Sequence, residues 1–241
     1  MDYLDFKKIG LESNFFWYRA RRRLIKIILE KYKIRDKKIL EIGCGAGGQL
    51  QVLSSSGNEV FGSDVNKDAL DEASKLGFKV FYQDAEKELE ESEKYDVICA
   101  FDVLEHIKDD NLALKNIYRV LKKDGLFIFS VPAFQFLYSG HDVYMKHHRR
   151  YSMRGLRQRL VDNDFQITKI FYWNFFLFPV VFINRIIFKK KTINSDVQKI
   201  SKALNFVFFS ILYLENFLIK KGLRFPCGVS IFGVAKKKNL C

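Results

Sequence analysis

At 241 residues, with 48% hydrophobic and 15% aromatic residues, the chain can build one large α/β unit with an appendage, and only three prolines argue against long unstructured linkers. The net charge of +13 is uneven: residues 1–121 carry 20 Lys and Arg against 22 Asp and Glu, and residues 122–241 carry 21 against 6, so an anionic partner would meet the second half. Cys44, Cys99, Cys227 and Cys241 form no C-x-x-C pair and no metal-ligand spacing, which argues for reduced thiols, and the polar, charged opening is no signal peptide, so the cytosolic side is the expected compartment.

Residues 14–32 predict a helix, with Leu24, Ile25, Ile28 and Leu29 at helical spacing and a basic opposite face. After a charged lead-in comes the apolar run Ile39, Leu40 and Ile42, then Gly43, Gly45, Gly47 and Gly48, then a helix start over 49–53. Strand, tight turn and helix in that order are the form of a nucleotide-binding βα unit. Glycines let the backbone turn sharply and let a ligand lie against it, and a helix start offers unpaired N–H groups. Gly43, Gly45 and Gly48 satisfy G-x-G-x-x-G, so one reading is a dinucleotide and an NAD(P)-dependent oxidoreductase. Glu41, two places before the first glycine, favours another, because a carboxylate repels a pyrophosphate and attracts a sulfonium or ammonium group. Residues 41–47, Glu-Ile-Gly-Cys-Gly-Ala-Gly, resemble the first motif of class I S-adenosylmethionine-dependent methyltransferases. The resemblance covers roughly residues 15–175. It implies S-adenosylmethionine as cofactor, with Glu41, Gly43, Cys44 and Gly45 in its site. In similar enzymes aromatic and arginine residues of the first helix lid the cofactor and reach its carboxylate, which points here to Trp17 and Arg22.

A second strand over 59–64 ends at Asp64, 21 residues past Gly43, the spacing of a ribose-binding carboxylate. Asp64 or Asn66 could equally cap the helix expected over 67–76. A third strand, 79–82, leads to Gln83-Asp84-Ala85, where the family's adenine-binding Asp falls; Val65 and Ala85 accompany the two acids. The acidic run 86–93 reads as a solvated face. A fourth strand, 95–101, is an almost unbroken apolar run ending at Phe101, as a strand buried on both faces should be. It opens into residues 102–107, Asp-Val-Leu-Glu-His-Ile, similar to the post-strand segment of small-molecule methyltransferases, including those acting on ubiquinone precursors. Those relatives hold a divalent metal with an acid, a Glu and a His at this place. Asp102, Glu105 and His106 keep the pattern, which makes a metal possible there without its being the expectation. His106 is the candidate base, since a neutral imidazole works near neutral pH, and bonding of Glu105-His106 to the backbone at a helix start is the alternative. A helix over 111–121 closes on Lys122-Lys123-Asp124-Gly125, with Gly125 suited to the left-handed position. A fifth strand follows at 126–132. Glu41, Asp64, Asp84 and Asp102 thus all fall at or just after strand ends, where ligands bind a doubly wound sheet.

Residues 141–152 hold His141, His147 and His148, with Ser152 placed to cap a helix over 153–163. A zinc site is weakly supported, because His147 and His148 are adjacent and do not both turn easily into one site. Tyr144, His148 and Arg149 read as an acceptor lid, and a similar His/Arg-Arg-Tyr segment occurs in many bacterial class I methyltransferases. After a sixth strand at 165–172 the composition shifts to a Phe/Ile/Val-rich stretch, 174–188, a second apolar helix over 203–219, and a seventh strand over 228–235 with a lysine tail. Neither apolar stretch is a clean membrane span. The expected fold is a Rossmann-like, doubly wound, seven-stranded α/β sheet with a helical insertion before its last strand. Residues 1–173 would form the cofactor-binding core and 174–241 the insertion, last strand and tail. The expected function is methyl transfer from S-adenosylmethionine to an oxygen or nitrogen of a small or lipid-linked acceptor. An RNA methyltransferase fits the charge, but no RNA-binding module is recognisable and nucleic acid is not the expected partner. The basic, Phe-rich region would lie on an anionic membrane, at the inner face of the cytoplasmic membrane, or form a homodimer interface.

Overall fold

The computed structural model describes residues 14–87, 94–187 and 200–238. The acidic run at 88–93, the lysines at 189–191 and Cys241 lie outside them. One seven-stranded sheet organises the chain: β1 (Lys38–Ile42), β2 (Glu59–Asp64), β3 (Lys79–Tyr82), β4 (Tyr95–Phe101), β5 (Leu121–Pro132), β6 (Phe165–Trp173) and β7 (Ser230–Lys237). Its spatial order is β3-β2-β1-β4-β5-β7-β6. The first five strands run parallel, and β7 inserts antiparallel between β5 and β6. Strands β1 to β3 are laid down in one direction across the sheet and β4 and β5 in the other, so the switch point where such folds bind ligands lies between β1 and β4.

Alternation along the central strands sorts side chains onto two faces. Leu40, Ile42, Ile98 and Ala100 enter one core cluster, and Ile39, Val97, Cys99 and Phe101 enter the other. Glu41 therefore points to the face of Ile39. That face is covered by α1 (Phe16–Lys31), through Ala20, Leu24, Ile25 and Ile28, and by α8 (Lys202–Lys220), through Leu212 and Ile219. The remaining helices are α2 (Leu50–Leu53), α3 (Lys67–Lys75), α4 (Asp110–Val120), α5 (Gly140–Tyr144), α6 (Met153–Asp162) and α7 (Phe178–Phe182). Caps stand at several sequence-predicted starts: Asn66 accepts from the Ala69 N–H at α3, and Ser152 from the Gly155 N–H at α6. Asp64 does not cap α3.

The expected turn after α4 differs. Asp124, not Gly125, takes the left-handed conformation (φ +62°), and the ladder of β5 already begins at Leu121, which pairs with Tyr95. Gly125 serves close approach instead, since a Cβ there would meet the Lys122 carbonyl oxygen at 2.9 Å.

The helical insertion is tied in by two buried polar side chains of α8. Glu215 accepts the backbone N–H groups of Asn174, Phe175 and Phe176. Asn216 accepts from the Trp173 indole at 2.9 Å and donates to the Ala20 carbonyl at 2.8 Å, joining α8, β6 and α1. Both are fully buried, so losing either leaves buried partners unmatched. Glu215→Ala should lower the unfolding free energy by about 3 kcal/mol in urea titration, the cost of stranding buried amide donors. A change under about 0.5 kcal/mol would show that the anchor is dispensable.

Candidate active site

The glycine turn leaves the carboxyl end of β1 with Gly43, Gly45 and Gly47 all at positive φ (+70°, +53° and +85°). At Gly43 a Cβ would also strike Val103 at 2.4 Å, so glycine is required twice over. The turn is braced from β2: Gly43 and Cys44 donate to the Ser63 carbonyl, and Gly45 donates to the Asp64 carboxylate at 2.8 Å. The other Asp64 oxygen accepts from the Asn66 N–H. The helix after the turn, α2, is a single turn, too short to focus much dipole on a phosphate.

Four sequence-predicted acids meet on one rim. Asp84, Asp64, Glu41 and Asp102 stand at the carboxyl ends of the adjacent strands β3, β2, β1 and β4. Asp84 braces its own turn by accepting from the Glu86 N–H, and Ala85 is buried against it. Val65 is exposed at the rim, and Phe101 and Cys44 are buried beneath it. Asp102 turns the chain sharply with φ +56° and aims its carboxylate at α1, where Arg21 binds it at 2.6 Å. Ser130 donates to its second oxygen at 3.0 Å. Arg21 in turn lies over the ring of Trp17, 4.3 Å from its centroid, and Trp17 packs on Trp173. Trp17 thus stands beside the Arg21–Asp102 pair at the rim. Arg22, half-buried, is the next residue along the helix.

The second group of polar side chains gathers on residues 105–150. Glu105 is fully buried, and neither carboxyl oxygen meets a partner from another residue. Burial, reinforced by the Asp102 charge, holds its carboxyl well above the ordinary range. His106 stands next to it with its ring edge against His147, centroids 4.6 Å apart. Part of His106 reaches solvent, yet crowding around the ring, with the charges of His147 and His148, pushes it down to about 4. His147 is held through Nδ1 to Asp142 at 2.8 Å. Asp142 is the hub beneath: it also holds Arg150 at 2.8 Å and Arg185 at 3.2 Å. Burial alone would raise Asp142, but the His147 hydrogen bond and the two guanidinium charges hold it well below the ordinary carboxylate range. Among the described residues Glu105, His106 and His147 form the group that could hold a metal ion, with ligand atoms within 4.8 Å of one another.

That arrangement changes several expectations. The pattern Asp102, Glu105, His106 is not brought together as a ligand set, because Arg21 and Ser130 engage Asp102 and His147 takes its place. Of the adjacent histidines, His147 turns inward; His148 is exposed and attaches through its backbone N–H to the Glu105 carbonyl. Arg149 binds Asp110 at 3.1 Å and the Lys108 carbonyl, while Arg150 turns into the core. Tyr144 ends α5, half-buried. Sequence reasoning missed Arg21, Asp142, His147 and Arg150. One local signal was available, since Ser139-x-x-Asp142 forms a capping box at α5.

Residues 16–170 match the family described as Methyltransferase domain. The chain belongs to that family. Among curated relatives, a ubiquinone biosynthesis O-methyltransferase of Pelagibacter ubique is 33% identical over 111 residues, 41% of this chain and 46% of that one. The same enzyme of Coxiella burnetii is 28% identical over 112 residues, 44% and 48% of the two chains. The chain thus spans about half the length of the curated relatives it matches. Among solved structures, an S-adenosylmethionine-dependent methyltransferase of Thermotoga maritima superposes with a TM-score of 0.64 at 17% identity, covering 98% of this chain and 97% of its own, which shows the fold.

The residues of this methyltransferase domain fit S-adenosylmethionine better than a dinucleotide. Three positive-φ glycines make the turn, acids rather than donors surround it, and a one-turn helix follows where a pyrophosphate would want a long one. Asp64→Ala should remove both a hydroxyl acceptor and the brace on Gly45, weakening binding of the demethylated cofactor by about 1–3 kcal/mol in calorimetry. Unchanged affinity would place the cofactor elsewhere.

Glu105 supplies a pH test. Its raised proton affinity means that the folded state keeps a proton which the unfolded chain releases above the ordinary value of 4.5. Stability contributed this way is present at low pH and is lost as pH rises towards the folded value. Glu105→Gln, neutral and isosteric, should abolish that loss, so the melting temperatures of the two proteins should diverge progressively as pH rises above the ordinary carboxyl value of 4.5. Parallel curves would mean that Glu105 is ionised in the fold.

Proposed function

We propose that the protein transfers a methyl group from S-adenosylmethionine to a hydroxyl oxygen of a small or lipid-linked acceptor. The observation that carries this reading is the neutral imidazole of His106 just beyond β4, on the same rim as the acids and glycines of the cofactor cradle. The relatives named as O-methyltransferases support oxygen over nitrogen as the acceptor atom.

S-adenosylmethionine supplies an electrophilic methyl group on a sulfonium. The chain's residues do the rest by placement. Glu41, buried at the end of β1, favours a cationic ligand at the turn, Asp64 offers its carboxylate to hydroxyls, and Asp84 offers an acceptor further out on the rim. Arg21, locked to Asp102 and stacked on Trp17, closes the cradle from α1. His106 accepts the hydroxyl proton. With its pKa pushed down to about 4 the imidazole is a weak base, but an oxygen gaining a methyl group becomes a strong acid, so a weak base suffices. Phe134, stacked on Tyr172 and Phe136, gives the space beside β5 an aromatic wall for a planar acceptor.

His106→Ala should lower kcat by about 10²-fold, the low end for a lost proton acceptor, while leaving affinity for the demethylated cofactor unchanged. The acid limb of kcat in the parent protein should lie near pH 4 rather than near the ordinary histidine value of about 6.5. Turnover should survive a chelator. Its loss on chelation and return with Mg²⁺ would instead assign Glu105, His106 and His147 to a metal.

A further inference from the structure

The two sides of α8 differ. Its inner side carries Leu212, Glu215, Asn216 and Ile219, all buried, and Glu215 and Asn216 bind β6, the segment after it, and α1. Its outer side carries Phe206 (67% exposed), Val207 (48%), Tyr213 (42%), Leu214 (51%) and Phe217 (46%). Phe206 and Val207 stand seven residues, two helical turns, before Tyr213 and Leu214, and Phe217 follows three and four later, so all five fall on one side of the helix, with the exposed Ser210 between the two groups. By length and composition α8 could cross a membrane. Crossing would pull a carboxylate and an amide away from five hydrogen-bonding partners into hydrocarbon, so the helix is committed to lying alongside the domain.

The stripe has a cationic edge. From α1, Arg19 lies 4.0 Å over the Phe209 ring and Arg23 lies 3.8 Å over Tyr213; at the far end Lys221 faces Phe217. Beside that end, between α1, β6, β7 and α8, is a cavity of about 300 Å³ with a floor that includes Leu24, Phe171 and Ile219. Lys31, Lys169 and Lys220 stand on its wall. Glu30, also on the wall, is bonded to Lys220 at 3.0 Å. Lys31 and Lys169 face each other, and burial together with Lys31 and Arg224 lowers Lys169 to about 8. Two ammonium groups side by side above an apolar floor is an arrangement that an anion relieves.

We propose that α8 lies in the plane of an anionic membrane, its outer stripe at the boundary of headgroups and acyl chains, with the lysine-walled cavity receiving an anionic headgroup. Charge selects this occupant over a second copy of the chain. A two-fold dimer through the stripe would bring two cationic edges, each with Arg19, Arg23 and Lys221, to one contact, whereas an anionic surface complements them. A basic-edged apolar helix of this kind settles in an interface rather than across it.

Vesicle sedimentation of the full chain tests this without cofactor or acceptor, so it stands apart from the methyl-transfer reading. Vesicles of phosphatidylcholine with phosphatidylglycerol should bring the protein down at low salt and release it at high salt, and phosphatidylcholine alone should not. Phe206→Glu with Leu214→Glu should weaken vesicle binding at least about tenfold, since two exposed apolar anchors are lost. Lys31→Gln with Lys169→Gln should reduce the preference for anionic vesicles while leaving the stripe intact. Circular dichroism and binding of the demethylated cofactor should be unchanged in both variants. Equal binding to neutral and anionic vesicles, or none to either, overturns the proposal. So does a stable dimer that the Phe206→Glu, Leu214→Glu variant converts to monomer, which would make the stripe an interface between copies.

Discussion

Parallel strands deliver their carboxyl ends to one rim, and in this chain those ends are acidic. Asp84, Asp64, Glu41, Asp102 and, one short turn further, Glu105 all stand there. Like charges in such proximity must be neutralised for the sheet edge to hold together. The structure uses three means at four of these positions. Asp64 and Asp84 accept backbone N–H groups, Asp102 takes a guanidinium, and Glu105 is buried where the protonated form is favoured. The negative field left near the glycine turn suits a cationic ligand, and the elements that cover the rim are placed by these same neutralising contacts.

The Arg21–Asp102 pair shows the coupling. It fixes the start of α1 over the end of β4, and the Trp17 ring stacked on Arg21 then packs on Trp173. Trp173 in turn is held by Asn216 of α8, whose amide also binds the Ala20 carbonyl of α1. One chain of contacts therefore runs from the cofactor rim through α1 to the helical insertion. On the other side of the site the buried Asp142 does similar work. It collects His147 and Arg150 from the loop after α5 and Arg185 from the insertion, so the orientation of the His147 ring against His106 depends on Arg185. The insertion before β7 is thus structurally joined to both halves of the site.

Period and punctuation were legible in the sequence: seven strands, the glycine turn, the caps at Asn66 and Ser152, the acids at strand ends and the apolar helix after residue 200. Each depends on neighbours a few residues apart, and strand alternation or helical spacing records it directly. The family resemblance through residues 41–47 and 102–107 rested on the same local patterns. What the sequence could not decide was which of several adjacent, chemically similar residues turns inward. Arg21 rather than Arg22 meets Asp102, because helix α1 is rotated by the packing of Leu24, Ile25 and Ile28 on the sheet. His147 rather than His148 faces His106, and Arg150 rather than Arg149 enters the core, because Asp142 is fixed beneath them by α5. Asp124 takes the left-handed turn expected of Gly125, because the ladder of β5 starts earlier than the apolar run suggests. The chemistry of the site, acid-rich, histidine-bearing and glycine-turned, was determined by the sequence alone. Which side chains meet was decided only by the tertiary structure, because one step along an irregular segment reverses a side chain's direction, and only contacts between distant segments choose the step.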